Sequence, residues 1–157
     1  MHMKCPSIQP SLFSDTVVAG FYLISSLFPI PRFAGEYPSA QSTATIDENT
    51  LLLGPFCGKP ACQFINAVPT RARGVCADAF LQQRTLIVPN VDEYPGHIAC
   101  DGETKSEIVC PLILQNGNRQ VVLGVLDLDC LALGGFDEQD KLGLEAIADL
   151  IVTSCNW

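Results

Sequence analysis

Two apolar stretches, SEIVCPLIL at 106–114 and QVVLGVLDLD at 120–129, flank a turn signal at Asn116, Gly117 and Asn118. No other feature restricts the fold as much. Asn-Gly supplies the positive-φ positions of a tight hairpin turn, and strands joined by so short a connection pair antiparallel. Further strand candidates lie at 17–24, 50–56, 62–65 and 85–91, short apolar runs bounded by turn residues. Residues 75–83 (VCADAFLQQ) are helix-compatible and free of breakers, so 74–76 is expected at a helix N-terminus. Asp137 reads as the N-cap of a closing helix, with Glu138 and Asp140 in its first turn. Leu144, Ile147, Ala148 and Ile151 then recur on one face. The expected fold class is α+β, a mainly antiparallel central sheet covered by helices.

A length of 157 residues with 48% hydrophobic side chains suits one domain with a real core. Residues 1–15, with Pro6 and Pro10 and no periodicity, read as a poorly structured lead. Residues 16–157 read as a single domain carrying a long loop insertion at 25–49, where Pro29, Pro31, Gly35 and Pro38 break any regular element. The apolar run at 16–30 is interrupted by Ser25, Ser26 and Pro29 before it reaches membrane-spanning length. It therefore reads as a buried strand of a cytoplasmic protein, with no membrane partner. A formal charge of −8 and the lack of a basic stripe argue against nucleic acid.

Eight cysteines are spread along the chain without a CxxC pair, which suits neither a disulfide scaffold nor a structural zinc site. Cys110, Cys130 and Cys155 sit in or beside apolar runs and read as packing or passive surface. Cys62, Cys76 and Cys100 fall near element ends. Cys100 stands out because GHIACD at 96–101 sets it in a glycine-punctuated loop beside His97 and Asp101. Cys76, in the first turn of a helix, is expected to have its thiolate stabilised by the helix dipole. For any one of these the alternative is a small buried hydrophobe.

Asp127 and Asp129 are two apart on a strand candidate and so share a face, unless the strand has already ended and both are solvated. Glu107, at the start of the SEIV strand, poses the same question. If these acids share one pocket, their repulsion raises at least one pKa and leaves a protonated acid near neutrality. A thiolate beside a protonated carboxyl is the pair needed to reduce a sulfur–oxygen bond: sulfur attacks, and the departing oxygen takes a proton.

AGFYL at 19–23, LGPFCGKPAC at 53–62, RGVC at 73–76, GHIACD at 96–101, SEIV at 106–109 and GVLDLD at 124–129 together resemble the free methionine-(R)-sulfoxide reductases, a catalytic branch of the GAF-domain fold. The resemblance runs in order from residue 19 to about 150. It implies a GAF-like fold and thiol-dependent reduction of free L-methionine-(R)-sulfoxide through a cysteine sulfenic acid and an intramolecular disulfide. Cys100 matches the attacking cysteine, Cys62 the one that resolves it, and Cys76 an auxiliary thiol. Glu107, Asp127 and Asp129 match substrate-binding carboxylates, and Tyr22 a pocket aromatic. Ile98 and Ala99 match positions whose backbone N–H groups meet the substrate carboxylate. Thioredoxin as reductant, a homodimer, and neither metal nor organic cofactor are further implications. Val18 stands where the family carries tryptophan. The alternative within the same fold is a non-catalytic GAF-type sensor of a small molecule, or a redox-switched regulatory domain.

Overall fold

In a computed structural model of the chain, which describes residues 18–28, 49–59, 61–100 and 102–157, the hairpin is the centre of the fold. β5 (Ser106–Asn116) and β6 (Arg119–Cys130) pair antiparallel from Ser106↔Cys130 to Asn116↔Arg119. β1 (Val18–Ile24) joins the other edge of β6 and carries β2 (Thr50–Cys57) and then β3 (Phe64–Asn66). β4 (Leu86–Val88) closes the far edge against β5. The result is a six-stranded antiparallel sheet in the order β3-β2-β1-β6-β5-β4. The lead at 1–15 and most of the insertion at 25–49 lie outside the described residues, apart from a 3-10 turn at Ser25–Leu27.

Alternation along β5 and β6 splits the core into two layers. Ile108, Cys110, Leu112, Leu126 and Leu128 face helix α2 (Glu138–Ser154), while Val109, Val125 and Tyr22 face helix α1 (Val75–Gln82). One residue of register slip would exchange these sets, so burial on both faces locks the pairing. β1 and β6 approach so closely at Leu23↔Gly124 that a Cβ on Gly124 would lie 2.0 Å from the Tyr22 carbonyl oxygen. Only glycine fits there.

α2 starts at Asp137, whose carboxylate accepts from the N–H groups of Gln139 and Asp140 at 2.8 and 3.1 Å, while the Asp140 carboxylate accepts from the Asp137 N–H at 2.9 Å. This reciprocal cap contributes about 1 kcal/mol. The buried stripe is Leu144, Ala148 and Val152. Ile147, expected on it, is 39% exposed, because Leu144, Ala148 and Val152 at i, i+4 and i+8 already fill the contact with the sheet. Two strand expectations shift. The 62–65 strand forms at Phe64–Asn66, since Cys62 is held elsewhere, and the 85–91 strand stops at Val88, before Pro89, giving way to a 3-10 turn at Val91–Glu93.

Candidate active site

Glu107 and Asp127 sit on neighbouring strands with their side chains on the α1 face, because Glu107 pairs with Asp129 and Val109 with Asp127 in the β5–β6 ladder. β6 continues to Cys130, so Asp127 and Asp129 belong to the strand and are not a solvated turn. Ser106 helps hold this end: its hydroxyl donates to the Ala132 carbonyl at 2.7 Å and accepts from the Gly135 N–H at 3.0 Å. α1 closes over the carboxylates, and its second residue, Cys76, brings its thiol to 3.7 Å from Glu107 Oε1, donating to it.

These groups form the floor of a cavity of about 340 Å³, with Tyr22, Asp127, Asp129, Glu107 and Cys76 on its inner wall. Its mouth is made by two loops. The 96–105 loop is pinned to α1, where the Tyr94 hydroxyl donates to Asp78 Oδ2 at 2.6 Å, and the His97 N–H reaches the Tyr94 carbonyl at 3.1 Å. The loop after β2 meets it through the Lys59–Glu103 ion pair and through a disulfide between Cys62 and Cys100, whose Cα atoms are 5.3 Å apart. Both sulfurs therefore sit on the rim of the chamber that buries the acids.

Electrostatics on the floor favour neutral acids. Burial pushes the Asp127 carboxyl up to about 6. Burial, reinforced by the charges of Asp127 and Asp129, lifts Glu107 well above the usual carboxylate range. The pair therefore retains a proton at neutrality. The same surroundings overturn the expectation for Cys76. Burial and the neighbouring Asp127 and Glu107 charges push its thiol well above the ordinary range, outweighing the dipole of a two-turn helix. Asp127 Oδ1 is buried with no hydrogen-bond partner among the described residues.

A carboxyl whose folded pKa lies above its unfolded value holds its proton more tightly in the folded state, so stability falls as pH rises. For Asp127 the window runs from the ordinary 3.8 to about 6, and two units correspond to about 3 kcal/mol. Urea denaturation at both ends of this window should show Asp127→Asn gaining on the parent protein by roughly that amount at the upper end. An unchanged difference between the two proteins would mean the carboxylate is not held in a desolvated site.

Of the residues singled out by sequence, Cys62, Cys76, Cys100, Glu107, Asp127, Asp129, Tyr22 and Ile98 all line the one cavity. Ala99 is exposed and lies outside its lining. Val18, opposite Asp129 on β1, is buried on the same sheet face as Tyr22 but does not reach the cavity wall. Arg71 and Arg73 also line the mouth; Arg73 opens the RGVC string, but that string points to its cysteine and assigns the arginine no role, and Arg71 belongs to no motif. His97, with Nε2 at 3.7 Å from Glu107 Oε2, was visible inside GHIACD but only its nearness to Cys100 was read.

Residues 23–154 match the GAF domain family. The chain is 55% identical over 124 residues to the free methionine-R-sulfoxide reductase of Saccharomyces cerevisiae, covering 79% of this chain and 63% of that protein. With the free methionine-R-sulfoxide reductase of Escherichia coli it shares 39% over 102 residues, 65% of this chain and 57% of the relative. Both matches thus span less than two thirds of the relative's length. Among solved structures, the reduced form of fRMsr from Staphylococcus aureus superposes with a TM-score of 0.63 at 36% identity, covering 88% of this chain and 70% of that one. The Neisseria meningitidis free methionine-R-sulfoxide reductase in complex with its substrate gives a TM-score of 0.65 at 34% identity, covering 87% and 65%.

Proposed function

The chain belongs to the GAF-domain family and, within it, to the free methionine-R-sulfoxide reductases, and from that premise we propose that it reduces free L-methionine-(R)-sulfoxide to L-methionine at the cavity between α1 and the sheet. The observation that carries this reading is a bonded cysteine pair on the rim of a chamber whose buried floor keeps a proton on paired carboxyls.

Cys100, as thiolate, attacks the sulfoxide sulfur, and the protonated Glu107–Asp127 pair supplies the proton that the oxygen needs as its bond to that sulfur breaks. The oxygen departs as water, leaving Cys100 bonded to the methionine sulfur; water then attacks the Cys100 sulfur, breaking that S–S bond, which releases the thioether and leaves Cys100 as a sulfenic acid. Cys62 then attacks the Cys100 sulfur, expelling water and forming the disulfide. Overall, one sulfoxide and two thiols become one thioether, one disulfide and one water. Asp127 Oδ1, buried and unsatisfied among the described residues, together with Asp129, suits the substrate's ammonium group. Arg71 and Arg73 at the mouth, with the Ile98 backbone, suit its carboxylate, and the small chamber selects a single amino acid over a peptide. Ala99 supports this contact only through its neighbour.

Cys100 is exposed on the rim, which supports reopening of the disulfide by an external dithiol of the thioredoxin type. Five cysteines free of any disulfide among the described residues support a reducing compartment such as the cytoplasm, and among those residues no helix is long and apolar enough to cross a membrane. A homodimer belongs to the same reading, supported by Leu142 and Leu150, each 64% exposed on the outer face of α2.

The decisive test is turnover of the separated sulfoxide epimers with a coupled thioredoxin system. The R epimer of the free amino acid should be consumed and the S epimer left. A folded protein that binds methionine sulfoxide without consuming it would instead be a sensor. In the same assay Cys62→Ser should give one turnover and then stop, with a dimedone-reactive sulfenic acid on Cys100. Undiminished multiple turnover would make Cys76, or the external dithiol itself, the resolving group.

A further inference from the structure

Cys76 does not share its neighbours' suitability for an ammonium group: a thiol among carboxyls is a poor partner for a hard cation and a good one for a soft metal. Its Sγ and one oxygen each from Glu107 and Asp127 all lie within 4.8 Å of one another. Around a tetrahedral zinc-sized ion, bound at about 2.3 Å by sulfur and about 2.0 Å by oxygen, such ligand atoms stand roughly 3.3–3.5 Å apart. The Cys76 Sγ to Glu107 Oε1 separation is already 3.7 Å.

A second observation points to a ligand from the other side. Asp127 lines the cavity, and its Oδ1 is buried with no hydrogen-bond partner among the described residues. A buried carboxylate oxygen left so costs free energy until something positive meets it. The three groups come from α1, β5 and β6, packed elements that need little rearrangement to converge. No metal spacing is visible along the chain because the ligands are contributed by three separate elements.

We propose that the cavity floor binds one thiophilic divalent cation of the zinc class through Cys76 Sγ and carboxylate oxygens of Glu107 and Asp127, with the fourth position left to water from the open cavity. Three protein ligands and an open position make an exchangeable site and not a structural one. Ionised Asp127 and Glu107 no longer repel each other across a dication. Because the cation takes the groups assigned above to the ammonium and the acid proton, it excludes the amino acid; this consequence alone rests on the reductase reading.

The test uses the full chain with Cys62–Cys100 oxidised and with Cys5 and the exposed Cys57 and Cys155 replaced by serine. Titration with Cd²⁺ should raise a sulfur-to-cadmium charge-transfer band that saturates at one equivalent and is bleached by Zn²⁺. Cys76→Ser should abolish the band, and Asp127→Asn should weaken binding by at least about tenfold. Circular dichroism establishes that each variant is folded, and the unsubstituted floor is tested without any variant by titrating free methionine against the cadmium complex. Saturation of the band in Cys76→Ser, an unaltered affinity in folded Asp127→Asn, or no stoichiometric band at all would overturn the site. A Cd²⁺ band that methionine leaves untouched would sustain the metal site and remove the amino acid from this cavity. A chain that reduces the sulfoxide yet gives no band would remove the metal site alone.

Discussion

Cys100→Ser is expected to abolish sulfoxide reduction, with a loss on the order of 10⁴-fold or more, as when other covalent enzymes lose their nucleophile. A serine hydroxyl stays protonated where a thiol ionises, and its oxygen has no oxidised state equivalent to the sulfenic acid that a thiolate becomes. Cys100 lies on the exposed rim loop, whereas burial pushes the Cys76 thiol well above its ordinary range. Methionine binding should persist in the variant, because the carboxylates and arginines on the wall are untouched. Rapid-quench measurement of methionine released in the first turnover, without reductant, separates the attack from the later exchange. If Cys100→Ser still releases one equivalent while Cys76→Ser releases none, the attacking sulfur is the buried one and Cys100 is its resolver.

Glu107→Gln is expected to lower kcat by 10²- to 10⁴-fold with a much smaller change in KM, the signature of losing a general acid that acts on the departing oxygen. The amide keeps the shape of the side chain and the contact with the Cys76 thiol, but holds no transferable proton. Because burial and the neighbouring aspartates raise the Glu107 carboxyl, the parent kcat should hold through neutrality and fall on the alkaline side as the shared proton is lost. In the variant that alkaline fall should disappear. A kcat profile that keeps the same limb in Glu107→Gln would move the proton to Asp127. An unchanged kcat with raised KM would leave Glu107 as a binding group only.

Much of this site was legible residue by residue. The Asn-Gly turn sets the β5–β6 register only as far as Ile113↔Val122; the one-residue bulge beyond it, where Leu112 pairs with Gly124, brings Glu107 opposite Asp129 and onto one face with Asp127. The N-cap at Asp137 was equally local, needing only a carboxylate within reach of two backbone N–H groups. What failed were inferences from one element in isolation. A helix N-terminus favours a thiolate until two buried carboxylates face it across the gap to another strand, as they do at Cys76. Ile147 fits the apolar period of α2 but not the width of the sheet beneath it. The Lys59–Glu103 pair joins residues 44 positions apart, and His97 meets Glu107 only once the loop folds back.

Short-range chemistry along the chain is sufficient for the turn, the caps, the alternation of faces and the residue types that can do sulfur chemistry, since each depends on neighbours a few bonds away. Whether two sulfurs 38 residues apart come within bonding reach, and whether Glu107 and Asp127 end up dry enough to keep a proton, depends on how separate elements pack. Desolvation and distance are properties of the assembled interior, so only the folded molecule can assign them.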